Sequence, residues 1–169
     1  SPENFFDYLS GAFEGVVGAP ALHLVQFSMR WPGEGGVAAL PPDQVSGLFD
    51  YFVEEGIDAS SIAHRDRPLA FVDFVAAGGT FRTLISLLRL QAERQRVDWN
   101  AVSRKLRLIG LRTRTKNSPN TWRWEQHQDW LHWLERDAVK NVSAPGRFIY
   151  HIANMHPPAA QSHHLRRCN

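Results

Sequence analysis

One carboxylate, one small-residue turn and a downstream set of cations are the residues of this chain with chemistry to offer. Asp73 follows the short apolar run Leu69-Ala-Phe-Val72. Then come Ala76-Ala77-Gly78-Gly79-Thr80, and beyond them Phe81, Leu84, Ile85 and Leu88 recur at helical spacing. A short apolar run of this kind reads as a buried parallel strand, so the stretch predicts strand, tight turn and helix. At such a junction main-chain N–H groups and the positive end of the helix can hold an anion, and glycine lets the ligand approach closely. Thr80 adds a hydroxyl and is placed to cap the helix. A second run, Leu106 to Arg112, leads into a basic segment with Arg114 and Lys116. If the two strands are parallel, Arg112, Arg114 and Lys116 emerge on the same edge as the turn. An acid, main-chain donors and cations together suit a phosphorylated molecule. The plain alternative is a strand-to-helix turn with a buried aspartate, beside a basic surface loop.

The stretch Leu69–Phe81 resembles the phosphoribosyl diphosphate (PRPP) motif of type I phosphoribosyltransferases. That motif is an apolar strand, two adjacent acidic residues, two variable residues and a Thr/Ser-rich Gly-Gly-Thr loop. Carried over by position, Ala76, Ala77, Gly78, Gly79 and Thr80 form the loop for the 5-phosphate. Asp73 becomes the second acid, holding a ribose hydroxyl directly or through a metal-bound water. Val72 stands where the family has its first acid, and Ala76 and Ala77 stand where hydroxylic residues are common. The resemblance implies a phosphoribosyltransferase-like α/β fold, with a mainly parallel sheet flanked by helices. It implies displacement of pyrophosphate from PRPP by a nitrogen acceptor, with Mg²⁺ neutralising the diphosphate. It further implies a pyrophosphate loop after an earlier strand. Ala21–Phe27 is the expected strand, and Ser28 and Arg30 are the residues expected to contact pyrophosphate, supported by Arg112 and Lys116. Asp73 and Arg30 are thus the expected catalytic residues, and Trp31 to Leu40 the segment expected to close over the site. The missing acid at position 72 leaves a second reading open, a non-catalytic PRPP- or nucleotide-binding regulatory module. A third is a partner-binding domain with a vestigial loop.

At 169 residues and 43% hydrophobic content, the chain is sized and composed for one globular domain. We expect residues 1–155 to form it and residues 156–169 to be a tail. No apolar run approaches the roughly 20 residues of a membrane span. The single Cys168 rules out an internal disulfide and suggests a reducing, cytoplasmic setting. Net charge is only +2, but residues 1–66 hold ten acids against Arg30 and Arg65, and residues 82–116 hold ten Lys and Arg against Glu93 and Asp98. The basic block lies just after the turn, where a polyanionic substrate needs it. It lacks a fold-specific signature for nucleic acid, so a small phosphorylated partner is favoured. A homodimer is left open.

Several elements must hold these residues in place. Ser1-Pro2-Glu3 opens a helix, and Asp43 is placed to cap a second over Gln44 to Glu55, stopped by Gly56. Residues 57–67 read as a polar connector, Ala101 to Lys105 as a short turn or helix, Thr121 to Asp137 as a helix, and Arg147–Ile152 as a last strand. Trp122 and Trp124 near the basic loop are placed either to stack on a ring substrate or to fill the core. His127 and His132, five apart, fall on different helix faces, unlike a zinc helix. His163, His164 and Cys168 read as a polar tail rather than a metal set. No Walker A loop, G-x-S-x-G elbow or G-x-G-x-x-G fingerprint occurs.

Overall fold

The computed structural model describes residues 2–27, 29, 31–114 and 124–152. It is a mixed α/β structure with a three-stranded parallel sheet flanked by helices. In chain order the elements are α1 (Pro2–Phe13), α2 (Pro42–Glu54), α3 (Ala59–Ala63), β1 (Leu69–Phe74), α4 (Gly79–Gln95), α5 (Trp99–Ser103), β2 (Leu106–Thr113), β3 (Val139–Ala144) and α6 (Gly146–Ile152). Short 3₁₀ turns add Gly36–Ala39, Trp124–His127 and Asp129–Trp133.

The chain divides into two compact units, residues 25–143 and residues 1–24 with 144–169. In the second, α1 and α6 meet through an edge-to-face pair of Tyr8 and Phe148, with ring centroids 5.4 Å apart. The larger unit contains the sheet and the main core. Its strands lie in the order β1-β2-β3. β1 and β2 pair from Leu69↔Leu106 to Phe74↔Leu111, and Leu69 N–H to Lys105 O and Val75 N–H to Leu111 O extend the ladder at each end. A parallel pair needs a crossover, which α4 and α5 supply. Phe81, Leu84, Ile85, Leu87 and Leu88 of α4 pack on Leu106 and Leu108 of β2, Val102 of α5, and Ile62 of α3. The burial of α4 on nearly all sides explains why its apolar pattern was so clear.

Helix ends follow local chemistry. α2 closes on Gly56, whose φ of 64° lets Ile57 N–H reach Phe52 O and Gly56 N–H reach Val53 O. At its start the cap position is Pro41, not Asp43, because Pro42 takes the first helical turn. The supposed connector at 57–67 contains α3, capped by the buried Asp58, which accepts from Ser60 and Ser61 N–H.

Three expected elements differ. Ala21–Phe27 is no strand: Phe27 N–H bonds back to Val25 O, a three-residue turn that breaks a ladder. Val25 and Phe27 instead pack on the core, with Phe27 5.8 Å from Phe52. The described part of the 121–137 helix is two 3₁₀ turns, which bring Trp124 and Trp130 together, stacked at 6.2 Å. The final strand is β3, earlier than expected, and Arg147–Ile152 lies in α6, which starts after Pro145 with Ile149 and Ile152 buried three residues apart. Residues 156–169 lie outside the described residues.

Candidate functional site

The loop from Asp73 to Phe81 lines a concavity of about 340 Å³ at the carboxyl end of β1. Its shape is set from below. Gly78 is the cap residue of α4 and has φ 78°. A Cβ on it would lie 2.5 Å from Cε3 of Trp124, so the wholly buried indole fits only against glycine. The same ring sits over Gly110 of β2 and hydrogen-bonds Asn141 Oδ1 of β3 through its indole N–H. Trp124 thus ties the loop to two strands, and it fills the core rather than offering a face to a ring substrate. Trp122 lies outside the described residues.

The loop's carbonyls and amides are treated differently. Gln128 Nε2 donates to Ala77 O at 3.2 Å, Arg82 N–H to Gly78 O at 3.0 Å and Thr83 Oγ1 to Gly79 O at 3.0 Å. Among the described residues, no protein acceptor receives the N–H groups of Ala76 through Phe81. The acceptors are engaged and the donors are open, at the end of a 17-residue helix whose dipole favours negative charge there. This arrangement can bind a phosphoryl or carboxylate group.

Asp73 is half-buried beside the loop and accepts from Phe74 N–H at 2.7 Å. Burial pushes its carboxyl above the ordinary value, while the Phe74 N–H and the Thr80 hydroxyl pull against that. Thr80 does not cap α4, whose cap is Gly78 with no side-chain bond. Val72 is 39% exposed, and strand alternation turns it to the face opposite Asp73.

The cations are more dispersed. Arg112 is half-buried near the end of β2, on the loop's edge of the sheet, and already interacts within the protein. Arg114 donates to Ser143 O at 3.4 Å. Ser28, Arg30 and Lys116 lie outside the described residues. The segment after Arg30 does reach the loop, since Trp31 N is 3.6 Å from where a Gly79 Cβ would sit. Sequence reading passed over Arg82, in the first turn of α4. Its guanidinium stacks on Trp31 at 3.9 Å and pairs with Asp129 at 3.7 Å. Its place two residues after Thr80 was the available signal.

Among the described residues no group of three or more His, Cys, Asp or Glu could hold a metal. Asp73 is a single carboxylate, which could hold Mg²⁺ only together with water and a ligand's own oxygens. No helix among the described residues is long and apolar enough to cross a membrane. No family model, curated protein or solved structure matches the chain.

Proposed function

We propose that this protein binds PRPP through the Ala76–Thr80 loop and transfers its phosphoribosyl group to a nitrogen acceptor. The observation that supports the reading is that the loop at the start of α4, whose amides find no protein acceptor among the described residues, lines a concavity beside one carboxylate. In the reaction the C1–O bond to diphosphate breaks, and its electron pair leaves with pyrophosphate. A C1–N bond forms, and the acceptor nitrogen gives up a proton. Main-chain amides of Ala77 to Thr80 would hold the 5-phosphate. Asp73 would accept from a ribose hydroxyl, using carboxylate lone pairs that Phe74 and Thr80 leave over. Ser28, Arg30, Arg112 and Lys116 are the proposed contacts for departing pyrophosphate, where positive charge stabilises the developing negative charge. Mg²⁺ supplies charge neutralisation when it enters with the substrate. A cytoplasmic setting, a small phosphorylated partner rather than nucleic acid, and an optional homodimer belong to the same proposal.

A specific observation favours a second reading, binding without turnover. The position of the family's first acid is Val72, on the opposite face of the strand, and Asp73 is already engaged in holding its own loop. Calorimetry with PRPP and Mg²⁺, coupled to a pyrophosphate assay, separates the two. Binding with pyrophosphate release in the presence of amine or base acceptors supports transfer, and binding alone supports a sensor. Asp73→Asn should weaken the Mg²⁺-dependent binding. Gly79→Val, which crowds the loop amides with added methyls, should abolish it. Unchanged PRPP affinity in both variants would remove the site assignment.

A further inference from the structure

We propose a second ligand site, on the flank of α4, for a small molecule that carries a phosphate or carboxylate on a planar body. The site is a cleft of about 490 Å³ between Trp31 and Trp133, floored by Arg82, Ser86 and Arg89. That volume is ordinary for a small-molecule pocket. It shares no lining residue with the Asp73–Phe81 concavity, and the proposal does not rest on the sugar-phosphate reading.

Positions 82, 86 and 89 are spaced i, i+4 and i+7, so they share one helix face over about 10 Å of rise. Both guanidiniums are held in advance. Arg82 lies 3.9 Å over the Trp31 ring, and Arg89 lies 4.1 Å over Trp133 and 5.9 Å from Trp99. The rings are themselves fixed. Trp31 presses on Gly36, where a Cβ would come within 2.6 Å of its Cη2. The Trp133 carbonyl accepts from Trp99 Nε1 at 2.7 Å. Stacking orients a guanidinium and leaves its in-plane N–H groups for an acceptor.

The protein answers these groups only in part: Arg82 pairs at 3.7 Å with the exposed Asp129, and among the described residues Arg89 meets no carboxylate. Ser86 is 7% exposed, and among the described residues its Oγ has no hydrogen-bond partner. Arg82 Nε is likewise enclosed without an acceptor. Buried polar groups are nearly always satisfied, and an exception at a cleft wall points to a ligand that completes it. Glu34 and Glu93 also line the cleft, but the described residues show neither in an ion pair with Arg82 or Arg89. Two cationic forks and an unanswered hydroxyl call for oxygen acceptors, and the flat aromatic and guanidinium walls call for a planar body.

The test uses the full chain with phenyl phosphate and benzoate, and benzylamine as the cationic control. Titration is followed by indole N–H signals of Trp31 and Trp133 in NMR, assigned with Trp→Phe variants. Either anion should bind saturably at about 0.1–1 mM, and which one binds names the head group. Arg89→Gln should weaken binding about tenfold and Ser86→Ala about fivefold, the loss expected for charged and neutral hydrogen bonds. Ser86→Ala should leave the thermal midpoint unchanged or raised, because its hydroxyl has nothing to lose in the unliganded fold. That pairing of a tolerated fold with weakened binding is not what a structural serine would give. Asp73→Asn, which alters the loop site alone, should leave this binding unchanged, which separates the two. The proposal is overturned if neither anion saturates by about 10 mM, if benzylamine binds instead, if Ser86→Ala and Arg89→Gln both bind as the wild type does, or if Asp73→Asn abolishes the binding.

Discussion

At the scale of single residues, the junction after β1 turns on Gly78 and Asp73, and both support predictions that need no ligand. A side chain at Gly78 faces two penalties, a left-handed φ and a 2.5 Å overlap with Trp124. Gly78→Ala should therefore destabilise by about 2–4 kcal/mol in urea unfolding, while Gly79→Ala, with only a 3.6 Å contact, should change little. Equal effects from the two would mean that the loop is not seated on Trp124. Asp73 sets a pH dependence. Burial raises its carboxyl above the ordinary 3.8, so the folded state holds that proton more tightly than the unfolded chain. Its contribution to stability is full below pH 3.8 and is lost as pH rises through the raised value. Asparagine carries no charge to bury and keeps an oxygen for Phe74 N–H. The Asp73→Asn variant should thus gain on the wild type as pH climbs through that window and hold level beyond it. A difference independent of pH would show that burial does not govern this carboxyl. The loop and the acid were legible because their chemistry is local, a strand end followed by glycines. Arg82 and Trp31 were not, because what joins them is a stacking contact across 51 positions of sequence.

At the scale of elements, the legible ones are those buried on more than one side. The apolar runs of β1, β2 and α4 are nearly continuous, and burial on several faces makes them so. Residues 21–27 look similar but lie outside the three-stranded sheet, and alternation in a sequence reports extended backbone, not who pairs with it. β3 escaped notice for the opposite reason: Lys140, Asn141 and Ser143 dilute its apolar positions. The tryptophans of 124–133 have helix-like spacing, yet Trp124 and Trp130 are buried by 3₁₀ turns that stack them. α3 was hidden by a polar composition that turns out to be structural. Its first amides are held from α4, where Gln91 Oε1 accepts from Ala59 N–H at 3.1 Å and Gln95 Oε1 from Ser60 N–H at 3.1 Å. Gln91 is only 1% exposed and also donates to Phe49 O at 3.4 Å. It thereby fastens α3 and the last turns of α2 to α4. Gln91→Leu keeps the volume but strands a buried donor and acceptor, and should cost about 1–3 kcal/mol in chemical denaturation. Gln95→Leu, at an exposed position, should cost less. A reversed order would show that the clamp does not depend on burial.

At the scale of the whole molecule, the core belongs to one stretch of chain. Among the described residues, every member of the main hydrophobic cluster, from Phe52 to Ala138, and every side chain packed against it, from Val25 to Val139, falls within residues 25–143. The sheet register, the Trp124 seat and both candidate sites draw on the same stretch. A segment of that length is within the range of independent domains, and contacts inside it are the ones that must be formed together for any of it to be stable. A polypeptide of residues 25–143 should accordingly fold alone, with a helix-and-strand far-UV spectrum and one cooperative urea transition. It should keep the ranking of the core substitutions, with Gly78→Ala more damaging than Gly79→Ala. A non-cooperative transition, or a compact state that binds a hydrophobic dye and lacks near-UV signal, would refute the claim. It would mean that residues outside 25–143 are needed to complete the core.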